Sequence, residues 1–229
     1  MLEPDLSLRA MNIDTTANPK MTRSAILPDL VGVGIALLVI LGLAGVSIFF
    51  ARNERSGSST WSCLGIFYVG FPALALILLR GDSHYGFAAI LWMFLVVWAA
   101  DTLAYFAGRI IGGPKLAPVI SPKKTWAGLG GAVAGSALVS FIFACVTQLD
   151  GIWTLAILAG CLAVVEQAGD LFESSLKRFH GVKDSGRLIP GHGGVIDRVD
   201  GLIAVAVAAA LIGVFHDQGV NAARGLLRW

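Results

Sequence analysis

The chain has 229 residues, 56% of them hydrophobic and 14% charged, with a formal net charge of +2 and a mean hydropathy of +0.76. A soluble domain carries about 25% charged and roughly 45–50% apolar residues, so the composition argues against a water-soluble globular fold and for an integral membrane protein. A net charge this close to zero says little about partners, and the placement of the charges says more.

Residues 1–29 are polar and mixed in charge. They lack the apolar core of a signal peptide and read as a soluble or interfacial leader. The remainder, residues 30–229, reads as one transmembrane domain. Six apolar segments follow in order: Leu30–Phe50, Trp61–Leu79, Tyr85–Ala107, Gly128–Leu149, Ile152–Asp170 and Leu202–Phe215. Spanning a bilayer takes ~20 residues; the first five reach that length and the last is short. The expected fold is therefore an all-α polytopic transmembrane bundle of about six spans. Only Asp150 and Gly151 separate the fourth and fifth segments, which predicts a tight helical hairpin. Cys63, Cys145 and Cys161 lie in apolar runs without metal-ligand spacing and read as reduced packing residues.

The Lys and Arg residues set the sidedness. With the Arg109–Lys124 and Lys177–Arg198 loops on the cytoplasmic face, that face holds eleven of the seventeen basic residues. The active-site loops are thus expected to face the cytoplasm, from the inner or plasma membrane. Arg9, Lys20 and Arg23 then fall on the outer side, against the rule.

The charged residues are concentrated. From Ser174 to Asp200, ten residues can ionise, between two apolar segments. Charge beside lipid needs water or a polyanionic ligand next to it. Lys177, Arg178, Lys183, Arg187 and Arg198 suit phosphates. Asp184, Asp197 and Asp200 suit hard cations such as Mg²⁺. In the fifth segment Glu166, Asp170, Glu173 and Lys177 stand 4, 3 and 4 residues apart, one polar stripe on a helix. Asp197 and Asp200 share a face if the last segment starts there as a helix. Two close carboxylates repel unless a cation lies between them; a helix cap explains one of them but not both. The run Pro190-Gly191-His192-Gly193-Gly194 has no bulky side chain apart from His192, so its backbone N–H groups can approach a phosphate. His192 can bind a phosphate, act as an acid or base, or order the loop. A second basic loop, Ser121-Pro122-Lys123-Lys124-Thr125-Trp126, is either a positive-inside flank with an interfacial Trp or the other half of an anion clamp. Asp101, in the third segment, shares a face with Tyr105 and Gly108.

These residues carry a resemblance. Ser174-x-Leu-Lys177-Arg178, Lys183-Asp184-x-Gly186 and Ile189-Pro190-x-His192-Gly193-Gly194-Val195-x-Asp197-Arg198-x-Asp200 resemble, at unbroken spacing, the signature of phosphatidate cytidylyltransferases (CDP-diacylglycerol synthases). Asp101-Thr102-x-Ala104-Tyr105, Ser121-Pro122-Lys123-Lys124-Thr125-Trp126 and Gly169-Asp170-Leu171-x-Glu173-Ser174 resemble further family motifs. Ala127 stands where members often carry Glu or Gln, and the chain looks shorter at its N-terminal side than typical members.

The resemblance implies transfer from CTP to phosphatidic acid in phospholipid biosynthesis. It implies Mg²⁺, as one ion or two, on Asp170, Asp197 and Asp200, with a monovalent ion as a further candidate. Lys177 and His192 join the three aspartates as catalytic candidates. Lys123, Lys124, Arg178, Lys183, Arg198, Ser121, Gly193 and Gly194 are the substrate-binding candidates. The lipid bilayer is the expected surrounding, no nucleic acid is expected as partner, and a homodimer is compatible with the small-residue helices. The alternative is a related CTP-dependent enzyme of isoprenoid lipids, a polyprenol kinase or a CDP-isoprenoid lipid synthase.

Overall fold

A computed structural model describes residues 33–43, 58–179, 181, 199–217 and 221–229. The described chain runs α1 (Val33–Leu43), α2 (Ser58–Arg80), α3 (Gly86–Ile110), β1 (Lys115–Ala117), β2 (Ser121–Thr125), α4 (Trp126–Thr147), α5 (Ile152–Phe179), α6 (Asp200–His216) and α7 (Ala222–Leu227). The helical reading holds, with one addition. A small antiparallel β-hairpin, pairing Lys115 with Thr125 and Ala117 with Ser121, joins α3 to α4.

Three described helices, α3, α4 and α5, are long and apolar enough to cross a membrane. The apolar stretches Val33–Leu43, Leu64–Arg80 and Asp200–His216 are shorter. The structure therefore supports a helical membrane protein with three such spans among the described residues, where the hydropathy pattern suggested about six. The fifth element also runs further than its apolar segment: α5 continues past Asp170 to Phe179, so the whole polar stripe lies on one helix.

The α3–α4 packing follows from small residues. Lipid gives apolar helices no hydrophobic reason to pair, so close backbone contact and buried hydrogen bonds do the work. Gly128, Gly131 and Gly135 face Leu103, Ala104, Ala107 and Gly108 across the crossing. Buried Ser136 donates to the Val96 carbonyl at 2.9 Å. Trp92 Nε1 donates to Ser140 Oγ at 2.8 Å, and that hydroxyl donates to the Leu155 carbonyl at 2.9 Å. One serine thus ties α3, α4 and α5. At the foot of the α4–α5 hairpin, Gln148 (φ 53°) and Gly151 (φ 69°) take the left-handed conformation that so short a turn demands. Outward, Trp98, Ile142, Val146, Ile157 and Phe215 are exposed, as lipid-facing side chains would be.

A Cβ on Gly131 would meet the Ala107 side chain and come within 2.7 Å of the Leu103 carbonyl oxygen, and backbone cannot yield as a side chain can. Gly131→Val is expected to cost about 1–3 kcal/mol by overpacking, read as a lower thermal midpoint in detergent. Gly130→Val, at a position with open space around it, serves as the control.

Candidate active site

The polar half of α5 organises the site. Glu166, Gln167 and Glu173 are buried, and Asp170 is half-buried. Ser174 Oγ donates to Asp170 Oδ1 at 3.2 Å, and Lys177 Nζ lies 3.6 Å from Glu173 Oε1, one turn apart. The stripe predicted from spacing is present.

The β-hairpin brings cations to it. Two glycines with positive φ, Gly112 and Gly113, follow α3 and let the chain double back. β2 then ends at Thr125, whose buried Oγ1 accepts from Gly128 N–H at 3.1 Å and caps α4. That cap sets the direction of the residue before it. Lys124 Nζ lies 2.6 Å from Asp170 Oδ2 and donates to the Gln167 carbonyl at 3.2 Å. A cavity of about 320 Å³ opens here, with Asp101, Arg109, Lys123, Lys124, Gln167 and Asp170 in its wall. Arg109 Nη1 donates to Tyr105 Oη at 2.9 Å, which holds the guanidinium at the rim. Three cations and two carboxylates thus share one polar cavity, where the sequence reading had named only Lys123, Lys124 and Asp170 as site residues. Arg109 was visible as the fourth residue after Tyr105, but its loop position read only as a topology signal.

Asp200 opens α6, ahead of the apolar stretch, and its Oδ1 accepts from Gly201 N–H at 2.8 Å. Burial pushes its carboxyl above the ordinary carboxylate range; the nearby Asp170 carboxylate adds to the rise, while hydrogen bonding with Glu173 and the charge of Lys177 oppose it. Asp170 and Asp200 are therefore close enough to repel, the condition under which a hard cation is welcome. Among the described residues no three His, Cys, Asp or Glu side chains gather as a metal site. Asp197, the third carboxylate expected there, lies outside the described residues, as do Lys183, His192, Gly193, Gly194 and Arg198. Ser121 is half-buried at the start of β2 and does not line the cavity; Lys177 and exposed Arg178 sit beyond it, toward the end of α5.

A second, apolar groove of about 540 Å³ lies between α2, α5 and α6, lined by Phe67, Tyr68, Phe71, Phe172, Ile203 and Val207. Gly169 is in its wall, next in sequence to Asp170. Tyr68 stands within electrostatic reach of Glu173, Asp200 and Asp170.

A basic polar cavity beside an apolar groove in a helical membrane protein defines a class: membrane enzymes that act on charged, lipid-linked molecules. Comparison with known proteins makes this specific. The model of the Cytidylyltransferase family matches residues 15–216, and the chain belongs to that family. A phosphatidate cytidylyltransferase of Brucella suis is 47% identical over 191 residues, covering 83% of this chain and 70% of the relative. Phosphatidate cytidylyltransferases of Haemophilus influenzae (40% over 177 residues, 75% and 62% covered) and Staphylococcus epidermidis (38% over 187 residues, 78% and 71% covered) are also similar.

Thr125→Val is expected to lower stability by about 1 kcal/mol through loss of the α4 cap, whereas Thr125→Ser keeps the acceptor and most of that stability. Thermal unfolding of both variants in detergent checks it.

Proposed function

We propose that this chain transfers the cytidylyl group of CTP to phosphatidic acid, giving CDP-diacylglycerol and pyrophosphate. The observation that carries the reading is the Lys124–Asp170 contact, which joins the basic hairpin to the carboxylate stripe between a polar cavity and an apolar groove. Family membership and relatives named phosphatidate cytidylyltransferase support it.

In this reading a phosphatidate oxygen attacks the α-phosphorus of CTP. One P–O bond forms, the α–β bridging P–O bond breaks, and pyrophosphate leaves. The attacking phosphate is already anionic and needs no strong base, so the work is positioning and charge neutralisation. Lys123, Lys124 and Arg109 draw the triphosphate into the cavity and offset its charge. Lys124 also holds Asp170 in place. Lys177 and Arg178, at the far end of α5, and Lys183 and Arg198, in the stretch of sequence after it, serve the phosphates. Gly193 and Gly194 offer backbone N–H groups, Ser121 a hydroxyl, and His192 a ring nitrogen to the same anions. The lipid's acyl chains run in the α2–α5–α6 groove, with the headgroup toward Tyr68 and Asp200.

The donor set is hard oxygen, which fits Mg²⁺. Asp170, Asp197 and Asp200 would hold it, as one ion or two, and a bound Mg²⁺ would neutralise charge building up on the phosphates. The basic cavity rim, read with the positive-inside rule, supports a site facing the cytoplasm from the inner or plasma membrane.

Purified protein in detergent, given CTP, phosphatidic acid and Mg²⁺, is expected to form CDP-diacylglycerol. EDTA abolishes the product, and Asp197→Asn lowers kcat by about 100-fold or more, as for groups acting together on a transition state, without unfolding the protein. Absence of product from folded parent protein, with turnover of an isoprenoid lipid instead, sinks the reading. Lys124→Ala is expected to raise KM by about tenfold, the equivalent of one charge-assisted hydrogen bond; an unchanged KM for both substrates removes Lys124 from the clamp.

A further inference from the structure

The turn of the β1–β2 hairpin has a composition that the proposed chemistry does not use. It reads Pro118-Val119-Ile120, whereas turns in water favour Gly, Asn, Asp and Ser beside Pro. Val119 is 92% exposed, the most exposed of the large hydrophobic side chains described. Others that approach it, such as Ile110, Val146, Trp153 and Phe215, are carried on the apolar helices, whereas Val119 stands on a turn between strands. The hairpin's flanks are also apolar and basic. Ile110 and Ile111 before it and Trp126 after it are exposed, and Trp is a residue of membrane–water interfaces. From Thr102 to Leu149 there are four Lys and Arg residues and no Asp or Glu. Three of the four, Arg109, Lys123 and Lys124, line the polar cavity; exposed Lys115 does not.

Geometry limits where the hairpin can stand. It joins the end of α3 to the start of α4, two helices long enough to cross a membrane, so its base lies where those helices leave the bilayer. Its Lys124 reaches Asp170, and α5 continues nine residues beyond Asp170 to Phe179, about 13 Å of helix. The base is therefore recessed toward the membrane, below the end of α5. A strand of five residues is about 17 Å long. An upright hairpin would lift Val119 into water, while a hairpin lying over sets it among lipid headgroups. That region is wet enough to satisfy the peptide groups of a turn, which hydrocarbon is not. We propose that the hairpin is a membrane-interface anchor: Pro118-Val119-Ile120 inserts at headgroup depth into the leaflet where α3 ends, and Lys115 contacts the phosphates of anionic lipids there. The apolar turn supplies the reason to leave water, and Lys115 supplies the preference for a negatively charged leaflet. The hairpin is then held at two points, by lipid at its tip and by Asp170 through Lys124 at its base, which keeps the mouth of the polar cavity level with the headgroups.

The anchor does not depend on which reaction the site performs, and its test needs no substrate. The full chain is placed in vesicles of phosphatidylcholine, alone or mixed with phosphatidylglycerol. Val119→Cys, in a background with Cys63, Cys145 and Cys161 each replaced by Ala, carries a nitrobenzoxadiazole label whose emission reports polarity. The label is expected to emit as in a medium of low polarity and to be shielded from aqueous iodide. Lipids spin-labelled near the headgroup are expected to quench it more than lipids labelled at the chain end. Phosphatidylglycerol is expected to raise the ratio of shielded to accessible label about fivefold, the effect of one cation near an anionic surface, and Lys115→Gln is expected to remove that rise. Free access of iodide in both kinds of vesicle overturns the anchor. So does shielding from iodide without quenching by either lipid, which would mean that another protein or a second copy of the chain covers the turn. Quenching strongest at the chain end overturns the headgroup depth, and a phosphatidylglycerol effect that survives Lys115→Gln overturns the role given to Lys115. Should the cysteine-free background not fold, a photo-reactive benzophenone amino acid at position 119 of the otherwise unaltered chain decides. Crosslinks to lipid then support the anchor, and crosslinks to protein alone overturn it.

Discussion

An apolar helix that carries carboxylates on one face must give every one of them a partner, because an unpartnered charge in such surroundings costs several kcal/mol. Helix α5 is built under that constraint. Glu166 is met by the Gln167 amide beside it, Asp170 by Lys124 from β2, and Glu173 by Lys177 from its own next turn. The stripe therefore dictates which elements converge. The hairpin must fold back far enough to set Lys124 at 2.6 Å from Asp170, and α3 must bring Asp101 into the same cavity wall.

Small residues make those approaches feasible. Gly128, Gly131 and Gly135 bring α4 against α3, and the hairpin between them is thereby held over the cavity. On the other side Gly169 packs against Ala204, and Gly201 against Glu166, so that α6 lies tight on α5 and Asp200 stands within electrostatic reach of Asp170. Ordinary side chains at 169 and 201 would push α6 outward, and the two carboxylates would separate. Glycine thus sets the site by the distances it allows between helices, more than by its backbone freedom.

Much of this was legible in the sequence, for identifiable reasons. Hydropathy located every described helix except α7, because α2 to α6 contain long apolar runs while α7 has only six residues. The period of the α-helix placed Glu166, Asp170, Glu173 and Lys177 on one face, since that spacing is local. The hairpin was not foreseen: strands of three and five residues, one of them Ser-Pro-Lys-Lys-Thr, carry no alternation of apolar and polar side chains. Lys124 was named as a binding residue, but its partner was not, because a contact across 46 positions depends on how α3, α4 and α5 cross. The count of about six spans came from hydropathy alone; among the described residues three helices reach a crossing length, and the described stretches Val33–Leu43, Leu64–Arg80 and Asp200–His216 are apolar but shorter. The His192 and Asp197 assignments fall outside the described residues and stand on motif alone.

Two recesses flank the stripe, and their arrangement follows from the helix itself. Gln167 and Asp170 face the polar cavity, whereas Gly169, Phe172 and Leu176 face the apolar groove. At 100° per residue these sets point to nearly opposite sides of α5, and the carboxylates Asp170 and Glu173 mark the boundary between them. A nucleotide is polar throughout; a phospholipid is polar only at its head. One helix with a polar flank, an apolar flank and a carboxylate border can receive the first from water and the second from lipid without either entering the other's medium. The reacting phosphates need to meet only at the border, where Tyr68, Asp170 and Asp200 stand within electrostatic reach of one another. A site carried on loops alone would have to extract the lipid to achieve the same encounter, at the cost of exposing its acyl chains to water. In the proposed reaction, the division of α5 into two faces is therefore what makes chemistry between a soluble and a membrane-held substrate accessible to so small a bundle.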